Sequence, residues 1–216
     1  SGFNVGHSAI NAMLRLAQTA PLADAARLKG IVKYMDQADS TAALTNYVDM
    51  DLVTAAEQLL TNSNVAARGE LVGHYQFPAM DRVMHLRPGF GFSVSMSSAR
   101  IYNYESINNE NYRGWFTGDG MTYLLNGDLT QFTDAFWPTV DPYRLPGTTV
   151  DLTPRADSSG ADYLSPESWV GGASLSNAFG VAGMALDAYG SSLTAKKSWF
   201  MFDNEIVCLG AGISCS

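Results

Sequence analysis

Residues 1–70 carry hydrophobic side chains at the spacing of amphipathic helices. Apolar residues recur every three or four positions over residues 5–17 and again over residues 22–35, which predicts two helices separated near Pro21. Pro21 fits the first turn of the second helix, where a missing N–H is tolerated. A third helix is predicted over residues 50–60, with Asp49 as its N-cap.

After residue 70 the hydrophobic positions follow the period of β-strands. Apolar side chains alternate with glycine and serine over residues 90–96, which predicts a half-buried strand. A second strand is predicted around residues 181–188. Two apolar runs, 198–202 and 205–209, flank a polar pair of residues, which is typical of a hairpin with a two-residue turn. The predicted class is therefore α+β, with helices first and part of a large antiparallel β-sandwich after them.

Neither end of this predicted fold is closed. Three helices with one apolar face each need further helices to complete a core. A sheet that stops after the 198–209 hairpin would also leave an apolar edge strand unpaired. We therefore expect the chain to be a fragment of a larger protein.

The composition changes at the same place as the periodicity, because sixteen of the 20 glycines and all 4 tryptophans follow residue 70. Charged residues make up only 16% of the chain, against about 25% in ordinary domains. The formal net charge of −8 excludes a generic nucleic-acid binder, which needs an excess of Lys and Arg. No apolar stretch reaches the roughly 18 residues of a membrane span, so we expect neither nucleic acid nor membrane as a partner.

The sequence contains no recognisable metal or nucleotide motif. It lacks a phosphate-binding loop and a zinc-protease helix, and its two cysteines lack the spacing of zinc ligands. Cys208 is expected to be a small buried thiol within an apolar run. The three histidines, His7, His74 and His85, are widely spaced and share no helical face, so we interpret each as structural.

Six carboxylates fall within one polar stretch that is rich in aromatic residues. A glycoside hydrolase needs two carboxylates flanking one sugar linkage, and the alternative is that these groups bond turns and helix ends. Asp119, between two glycines, is interpreted as a turn carboxylate. Glu105 differs, because it follows an alternating run and precedes an asparagine cluster too polar for a core. The six are Glu105, Glu110, Asp119, Asp128, Asp134 and Asp141.

Ten aromatic side chains are interleaved with these polar residues. Aromatic faces stack on the apolar faces of sugar rings, whereas amides and carboxylates bond sugar hydroxyls, so the mixture suits a carbohydrate cleft. The same residues also suit a sandwich core with amphipathic tyrosines, and the pattern leaves both interpretations open. They are Tyr102, Tyr104, Tyr112, Trp115, Phe116, Tyr123, Phe132, Phe136, Trp137 and Tyr143.

Three segments of the chain resemble polysaccharide lyase family 8, which comprises the bacterial hyaluronate, chondroitin AC and xanthan lyases. The first segment is NYESINNENYRGWFTGDGM at residues 103–121. The others are FWPTVDPYRLPGTT at residues 136–149 and AKKSWFMFDNEIVCLGAG at residues 195–212. The resemblance covers essentially the whole chain, and it is highly specific because the three segments are long and occur in the family's order.

The resemblance implies a fold in which an incomplete (α/α) toroid precedes a large antiparallel β-sandwich assembly. Residues 1–70 would be the last helices of the toroid, and residues 71–216 the N-terminal part of the central β domain. The resemblance also implies a secreted bacterial enzyme that cleaves an acidic, uronate-containing polysaccharide by β-elimination to 4,5-unsaturated products. Its partners would be that substrate and the upstream and downstream parts of the same enzyme. No organic cofactor is implied, while a structural cation at sheet carboxylates stays open.

The resemblance also assigns roles to residues of the first segment. Glu105 matches a position that reaches the family's catalytic Tyr and Arg, so its implied role is to orient that pair. Asn108 matches a position that contacts the sugar. Asn109, Glu110 and Arg113 are further candidates for substrate binding, with bonding inside a turn as the alternative. The principal Asn, His, Tyr and Arg of the family are expected upstream of this chain, which by itself should be inactive.

Hyaluronan or chondroitin is the expected substrate of the complete protein. Residues 113–117 and 141–143 look closer to hyaluronate and chondroitin AC lyases than to xanthan lyases. The acidic net charge does not oppose a polyanionic substrate if the basic wall of the cleft lies outside this chain. The alternatives are a xanthan-type lyase, a non-catalytic carbohydrate-binding or scaffold β-sandwich, and a two-carboxylate glycoside hydrolase with saturated products.

Overall fold

A computed structural model of the chain describes residues 2–133 and 135–216. Asp134, one of the six carboxylates, lies outside the described residues. Two compact units are present: a helical unit formed by the segment up to Glu70 with Asp128–Phe136, and a β unit formed by Leu71–Gly127 with Trp137–Ser216. Within those ranges no helix combines the length and apolarity that a bilayer crossing requires.

The helical unit contains the three predicted helices. They are α1 (Gly2–Leu16), α2 (Leu22–Ala38) and α3 (Val53–Thr61), with single turns of 3₁₀ helix at Leu44–Asn46 and Met50–Leu52. Two details of the prediction are wrong. Pro21 is the N-cap residue of α2 rather than part of its first turn. Asp49 provides no side-chain cap, and its carboxylate instead accepts a hydrogen bond from Arg15 Nη2 at 2.7 Å.

One apolar cluster holds these helices together. Its fully buried members come from the inner faces of all three helices and from the first 3₁₀ turn, and they are Leu14, Val32, Leu44 and Ala56. His7 is structural, as predicted. Its Nε2 atom lies 2.6 Å from a carboxylate oxygen of Asp39, and its ring stacks on Tyr47 with centroids 3.8 Å apart.

The β unit consists of two four-stranded antiparallel sheets in which every strand pairs with its neighbour in the sequence. Sheet A contains β1 (Gly73–Phe77), β2 (Arg82–Arg87), β3 (Phe90–Met96) and β4 (Asp119–Leu125). Sheet B contains β5 (Val170–Leu175), β6 (Phe179–Asp187), β7 (Thr194–Met201) and β8 (Ile206–Ser214), and the one-turn helix α4 (Phe136–Thr139) lies between the two sheets in the sequence. The predicted α+β class with an antiparallel β-sandwich is confirmed.

Side chains from both sheets form one buried core. Val83 and Val94 of sheet A belong to the same cluster as Met184, Trp199 and Met201 of sheet B. Burying such large apolar side chains contributes about 1.5–3 kcal/mol each to folding. The two sheets therefore stabilise each other.

The predicted strands are present, but two of them are buried differently from the expectation. On β3, Ser95 of the outer face is buried, as are Phe92, Val94 and Met96 of the inner face. The β7–β8 hairpin has the predicted two-residue turn, in which the Phe202 N–H donates to the Glu205 carbonyl at 2.9 Å. Cys208 is exposed rather than buried, since β8 is the outer strand of sheet B and is exposed from Val207 onward. Both cysteines carry free thiols.

Two histidines of sheet A meet in the core, which their spacing in the sequence did not predict. His74 on β1 pairs in register with His85 on β2, and their Nδ1 atoms lie 3.3 Å apart. His85 Nε2 lies 2.7 Å from the carbonyl oxygen of Phe202 at the β7–β8 turn. Gln76 Nε2 lies 2.7 Å from His74 Nε2 and donates to the Val181 carbonyl of β6 at 3.2 Å. The residues Gln76, His74, His85 and Phe202, called the histidine chain, thus connect sheet A to sheet B.

Only one pair of tautomers satisfies the histidine chain. A carbonyl oxygen can only accept, so His85 Nε2 carries its hydrogen and His85 Nδ1 must accept. His74 therefore donates from Nδ1, and its Nε2 accepts from the Gln76 amide. Because a protonated imidazole has no acceptor, both rings need to be neutral.

We predict that acid destabilises the protein through His74. Burial, reinforced by the neighbouring His85 and Arg87, lowers the pKa of His74 from 6.5 to about 4. Between these pH values the unfolded chain binds a proton that the folded chain does not bind, so stability is lost as the pH falls from 6.5 towards 4. The part attributable to His74 reaches about 3 kcal/mol.

Denaturant unfolding of the wild-type protein and of His74→Gln, at pH 7 and at about pH 4.5, measures this effect. The free energy of unfolding should fall more on acidification in the wild type than in the variant, because the variant lacks the titrating ring. An equal decrease in both proteins would contradict the prediction.

Candidate functional site

The predicted site residues lie on one long loop between β3 and β4, residues 97–118, called the β3–β4 loop. Its first residues are fixed to the end of the β1–β2 turn. The Ser98 hydroxyl donates to the carboxylate of buried Asp81, and Arg100 Nη2 donates to the same carboxylate at 2.9 Å. The loop therefore leaves sheet A in a fixed direction.

The segment between α4 and β5 holds the middle of the β3–β4 loop. The Tyr104 hydroxyl donates to the Ser159 carbonyl at 2.8 Å, and the Trp115 indole N–H donates to the Ala156 carbonyl at 3.1 Å. Asn103 Nδ2 donates to the Trp115 carbonyl at 2.6 Å, which closes the loop on itself. Asn103, Tyr104 and Trp115 are buried. The buried residues of this loop, among them Asn103, Tyr104 and Trp115, are called the packed base. They support the residues of the loop that are exposed.

The outermost part of the loop, residues 105–111, is called the exposed turn, and asparagines shape it. Asn108, Asn109 and Asn111 have φ values of 55°, 61° and 55°, a region that asparagine tolerates better than most residues. Asn111 Nδ2 donates to the Glu105 carbonyl at 2.7 Å, which closes the turn. The backbone thus needs this asparagine cluster independently of any ligand.

The exposed turn presents polar side chains without partners in the described part of the chain. The carboxylates of Glu105 and Glu110 and the side-chain amides of Asn108 and Asn109 are exposed. None of the four makes a hydrogen bond or ion pair to another described side chain. Their polar groups are therefore available to a ligand.

Arg113, the fifth predicted site residue, is already paired. Its Nε donates to the Asp157 carboxylate at 2.9 Å, and both side chains are more than half exposed. Exposed ion pairs contribute only about 0–1 kcal/mol. Arg113 can therefore exchange Asp157 for another acid group at small cost.

Two open cavities border the exposed turn. One has a volume of about 790 Å³ and is lined in part by Tyr123 and Trp137. The other has a volume of about 600 Å³ and is lined in part by Tyr102 and Glu105. Arg82, at the start of β2, borders both cavities.

The aromatic residues of the β unit near this loop pack in the base or line a cavity, and buried Tyr104 does both. Trp115 and Phe116 of the packed base contact each other and Tyr143, which follows α4, with ring centroids 5.3 to 6.4 Å apart. Burial agrees with the core interpretation for Trp115 and Phe116, whereas the carbohydrate-cleft interpretation stays a prediction. Those lining a cavity are Tyr102, Tyr104, Tyr112, Tyr123 and Trp137.

Asp119 does not serve a turn, which corrects the prediction. It is the first residue of β4 and is buried, and burial raises the pKa of its carboxyl to about 7 although Lys197 and Arg155 lower it. Lys197 Nζ donates to the backbone carbonyls of Asp119 at 2.8 Å and of Gly147 at 2.6 Å. A Cβ at Gly120 would lie 2.8 Å from this Nζ, at a φ of +78°. The glycine beside Asp119 thus permits the close approach of a lysine.

Two of the other carboxylates behave as turn residues. Asp128 accepts from the Thr130 N–H at 2.9 Å, and Asp141 accepts from the Tyr143 N–H at 2.9 Å. Glu105 and Glu110 remain as the exposed, unpaired carboxylates among the five of the six that the structure describes. Across residues 2–133 and 135–216, no group of three or more His, Cys, Asp and Glu side chains is placed to hold a metal ion.

Inspection of the sequence missed two cations at this site, Arg82 and Lys197. A signal was present for Lys197, because it lies two residues from both Ala195 and Trp199 and so shares their inward face of a predicted strand. Arg82 gave no comparable signal. Arg82 is recognised as part of the site only in the folded structure, where it lines both cavities together with residues of the β3–β4 loop.

The fold and the loop define an α+β protein whose antiparallel β-sandwich presents a polar turn beside two open cavities. Residues 72–216 match the family model of polysaccharide lyase family 8, super-sandwich domain. A hyaluronate lyase of Thermasporomyces composti is 41% identical over 215 residues, which cover 98% of this chain and 28% of that protein.

Solved structures of polysaccharide lyases are also similar to this chain. A Paenibacillus xanthan lyase is 53% identical, with a TM-score of 0.88 over 96% of this chain and 20% of that chain. A Streptomyces coelicolor A3 chondroitin AC lyase, solved in complex with chondroitin sulphate, is 40% identical, with a TM-score of 0.89 over 97% of this chain and 29% of that chain. The chain belongs to polysaccharide lyase family 8, as its three sequence segments predict, and it spans 20% to 29% of the length of these relatives.

We predict that Lys197→Met destabilises the β unit by about 2–4 kcal/mol. The substitution removes the donor shared by the buried Asp119 carbonyl and the partly buried Gly147 carbonyl, and it removes the cation that offsets the charge of Asp119. Thermal or denaturant unfolding measures the effect. Lys196→Met is the matched control, because Lys196 is the exposed neighbour on the same strand. Equal stability of the two variants would contradict this prediction.

Proposed function

We propose that this chain is one part of a lyase that cleaves uronate-containing glycosaminoglycans, hyaluronan or chondroitin, by β-elimination. The β3–β4 loop would supply one wall of the cleft. The observation that carries this proposal is the exposed turn, whose free carboxylates and amides are mounted on a packed, hydrogen-bonded base. Groups held in place before binding lose less conformational entropy when the ligand arrives. The names of the similar proteins, hyaluronate, xanthan and chondroitin AC lyase, support an acidic polysaccharide as the substrate.

The proposed reaction removes the C5 proton of a uronate and expels the 4-linked oxygen, which leaves a 4,5-unsaturated sugar. A proton beside a carboxylate is a poor acid, so the enzyme has to offset the developing charge and hold a base at C5. The described histidines are unsuited to that role. His74 and His85 are buried in the core, and His7 is bound to Asp39. In line with the resemblance to the family, the base and the group that neutralises the carboxylate are assigned to the full protein outside residues 1–216.

Glu105 is the positioning residue of this proposal. Its carboxylate can accept hydrogen bonds from a Tyr hydroxyl and an Arg that another part of the protein contributes. An Arg held in this way would lower the pKa of the Tyr, because a nearby positive charge favours the ionised form. Asn111 fixes the backbone from which Glu105 projects through its 2.7 Å hydrogen bond to the Glu105 carbonyl.

The other residues of the exposed turn would contact the sugar. The amides of Asn108 and Asn109 can both donate to and accept from sugar hydroxyls, and Glu110 can accept from them. Arg113 would exchange the exposed Asp157 for an acid group of the substrate.

In the complete enzyme, residues 1–70 would be the last helices of an incomplete (α/α) toroid, and residues 71–216 the N-terminal part of the central β domain. The change from helix to strand between Thr61 and Gly73 supports this boundary, as does the family match that begins at residue 72. The enzyme would be secreted by a bacterium, because a polysaccharide is too large to cross a cell membrane to an internal enzyme.

Incubation of the full-length protein with hyaluronan, chondroitin and xanthan tests the proposal. The ultraviolet absorbance of unsaturated uronate should grow with hyaluronan or chondroitin. A xanthan-type lyase is the second candidate, supported by the 53% identity to the Paenibacillus enzyme, and activity on xanthan alone would favour it. Saturated products would indicate a hydrolase, and binding without turnover a scaffold. Residues 1–216 alone should yield no unsaturated product.

We predict that Glu105→Gln in the full-length enzyme lowers kcat about ten- to a hundredfold, the loss expected when a charged hydrogen bond is removed. KM should change by less than about threefold, because a positioning residue acts on the transition state more than on ground-state binding. Steady-state kinetics with the preferred polysaccharide measures both constants.

Two further variants separate positioning from a structural effect. Glu105→Asp keeps the charge and should recover part of the lost kcat. Glu205→Gln, at the exposed β7–β8 turn, should leave both constants unchanged. An unaltered kcat in Glu105→Gln would remove Glu105 from the mechanism.

A further inference from the structure

Arg82 lies between the two cavities of the candidate site. It is the first residue of β2, where it pairs in register with Ser95 of β3. The next residue, Val83, belongs to the core between the sheets. Since successive side chains of a strand point to opposite faces, Arg82 projects from the outer face of sheet A. There it borders both the cavity of about 790 Å³ and the cavity of about 600 Å³.

Arg82 differs from the other arginines at these cavities because it has no acid partner in the described ranges. Arg100 pairs with Asp81 at 2.9 Å, and Arg113 pairs with Asp157 at 2.9 Å. No described carboxylate lies within 4.0 Å of the Arg82 guanidinium. In a chain with a net charge of −8, an exposed arginine left without an acid partner is available for an external anion.

Acidic side chains face Arg82 across one cavity without pairing with it. Glu105, Glu110 and Asp162 line the same cavity of about 600 Å³. They are exposed, so water and salt screen their attraction to Arg82. A ligand anion in direct contact with Arg82 would therefore be attracted to it more strongly than these carboxylates, which lie at longer range.

The larger cavity places aromatic residues beside Arg82, together with exposed Glu110 and the exposed Arg113–Asp157 pair. Tyr123 and Trp137 line this cavity together with Arg82. Burial raises the pKa of Tyr123, and the Arg82 guanidinium acts in the opposite direction, as expected for a cation close to the phenol. Aromatic faces beside one cation provide apolar contact for a sugar ring and a charge for its acid group.

We infer that Arg82 binds one acid group, a carboxylate or a sulfate ester, of the polysaccharide that lies against the exposed turn, and so helps to determine substrate specificity. The inference rests on the proposed function for the identity of the polymer. The planar guanidinium presents paired N–H donors that match two oxygens of either group. A lysine would supply the charge without this geometry.

Equilibrium binding to the full-length protein tests the inference independently of turnover. The probes are oligosaccharides of hyaluronan, which carries carboxylates only, of chondroitin sulfate, which also carries sulfate esters, and of carboxyl-reduced hyaluronan, which is neutral. Arg82→Gln should raise the Kd for the anionic oligosaccharides about ten- to a hundredfold and leave the Kd for the neutral one unchanged. Arg82→Lys should retain part of the affinity.

Arg144→Gln is the matched control, since Arg144 is an exposed arginine paired with Asp141 and lines neither cavity. It should bind every probe as the wild type does. A loss in Arg82→Gln on both anionic probes assigns Arg82 to the carboxylate, and a loss on chondroitin sulfate alone assigns it to the sulfate.

Three results would overturn the inference: unchanged affinity of Arg82→Gln for both anionic probes, an equal loss on the neutral probe, or no binding of anionic probes by the wild type. The proposed function is tested separately by the formation of unsaturated uronate. A protein that forms this product but binds independently of Arg82 would refute only the inference. One that binds through Arg82 without forming the product would refute only the lyase activity.

Discussion

Directional hydrogen bonding between the two sheets is the constraint on which the rest of the β unit depends. Apolar side chains alone would let the two sheets pack in several relative positions, because the hydrophobic effect has no direction. The histidine chain allows one arrangement, since His74 and His85 each have a required tautomer and a required partner. Leaving such a buried group unpaired costs about 1–3 kcal/mol. Gly180 on β6 faces the His74 ring at a distance that leaves no room for a Cβ, so sheet B approaches as closely as a glycine permits.

A fixed sandwich gives the candidate site a fixed foundation. The β3–β4 loop starts from Asp81 and Ser98 at the edge of sheet A and is held farther along by Tyr104 and Trp115. Nearly all of the side-chain hydrogen bonds of this loop hold the loop itself in place. The exposed turn is the exception, because its backbone is closed by Asn111 while the neighbouring carboxylates and amides stay unpaired. This division between a bonded base and free groups is what a wall of a binding cleft requires.

The distribution of charge bears on how an acidic chain could face the acidic polymer proposed as its substrate. Although the net charge is −8, three arginines, Arg82, Arg100 and Arg113, line the cavities beside the exposed turn. Arg100 is committed to the buried carboxylate of Asp81 and has a structural role. Arg113 holds an exposed partner that it can release, and Arg82 has none within the described ranges. The local field that a ligand meets is therefore set by these arginines together with the acids that line the same cavities, Glu105, Glu110, Asp157 and Asp162.

The sequence by itself determined the three long helices, the strands β3, β6, β7 and β8, and the position of the exposed turn. Periodicity located β3 and the β7–β8 hairpin, and the resemblance to the lyase family located Glu105. Only the tertiary structure decided that Asp119 is buried, that Cys208 is exposed, that His74 contacts His85 and that Arg82 lies between two cavities. The physical reason is that periodicity reports which face of an element is apolar. The burial and pairing of a polar group depend instead on a segment distant in the sequence, whose position is fixed only when the sheets and the loop have packed.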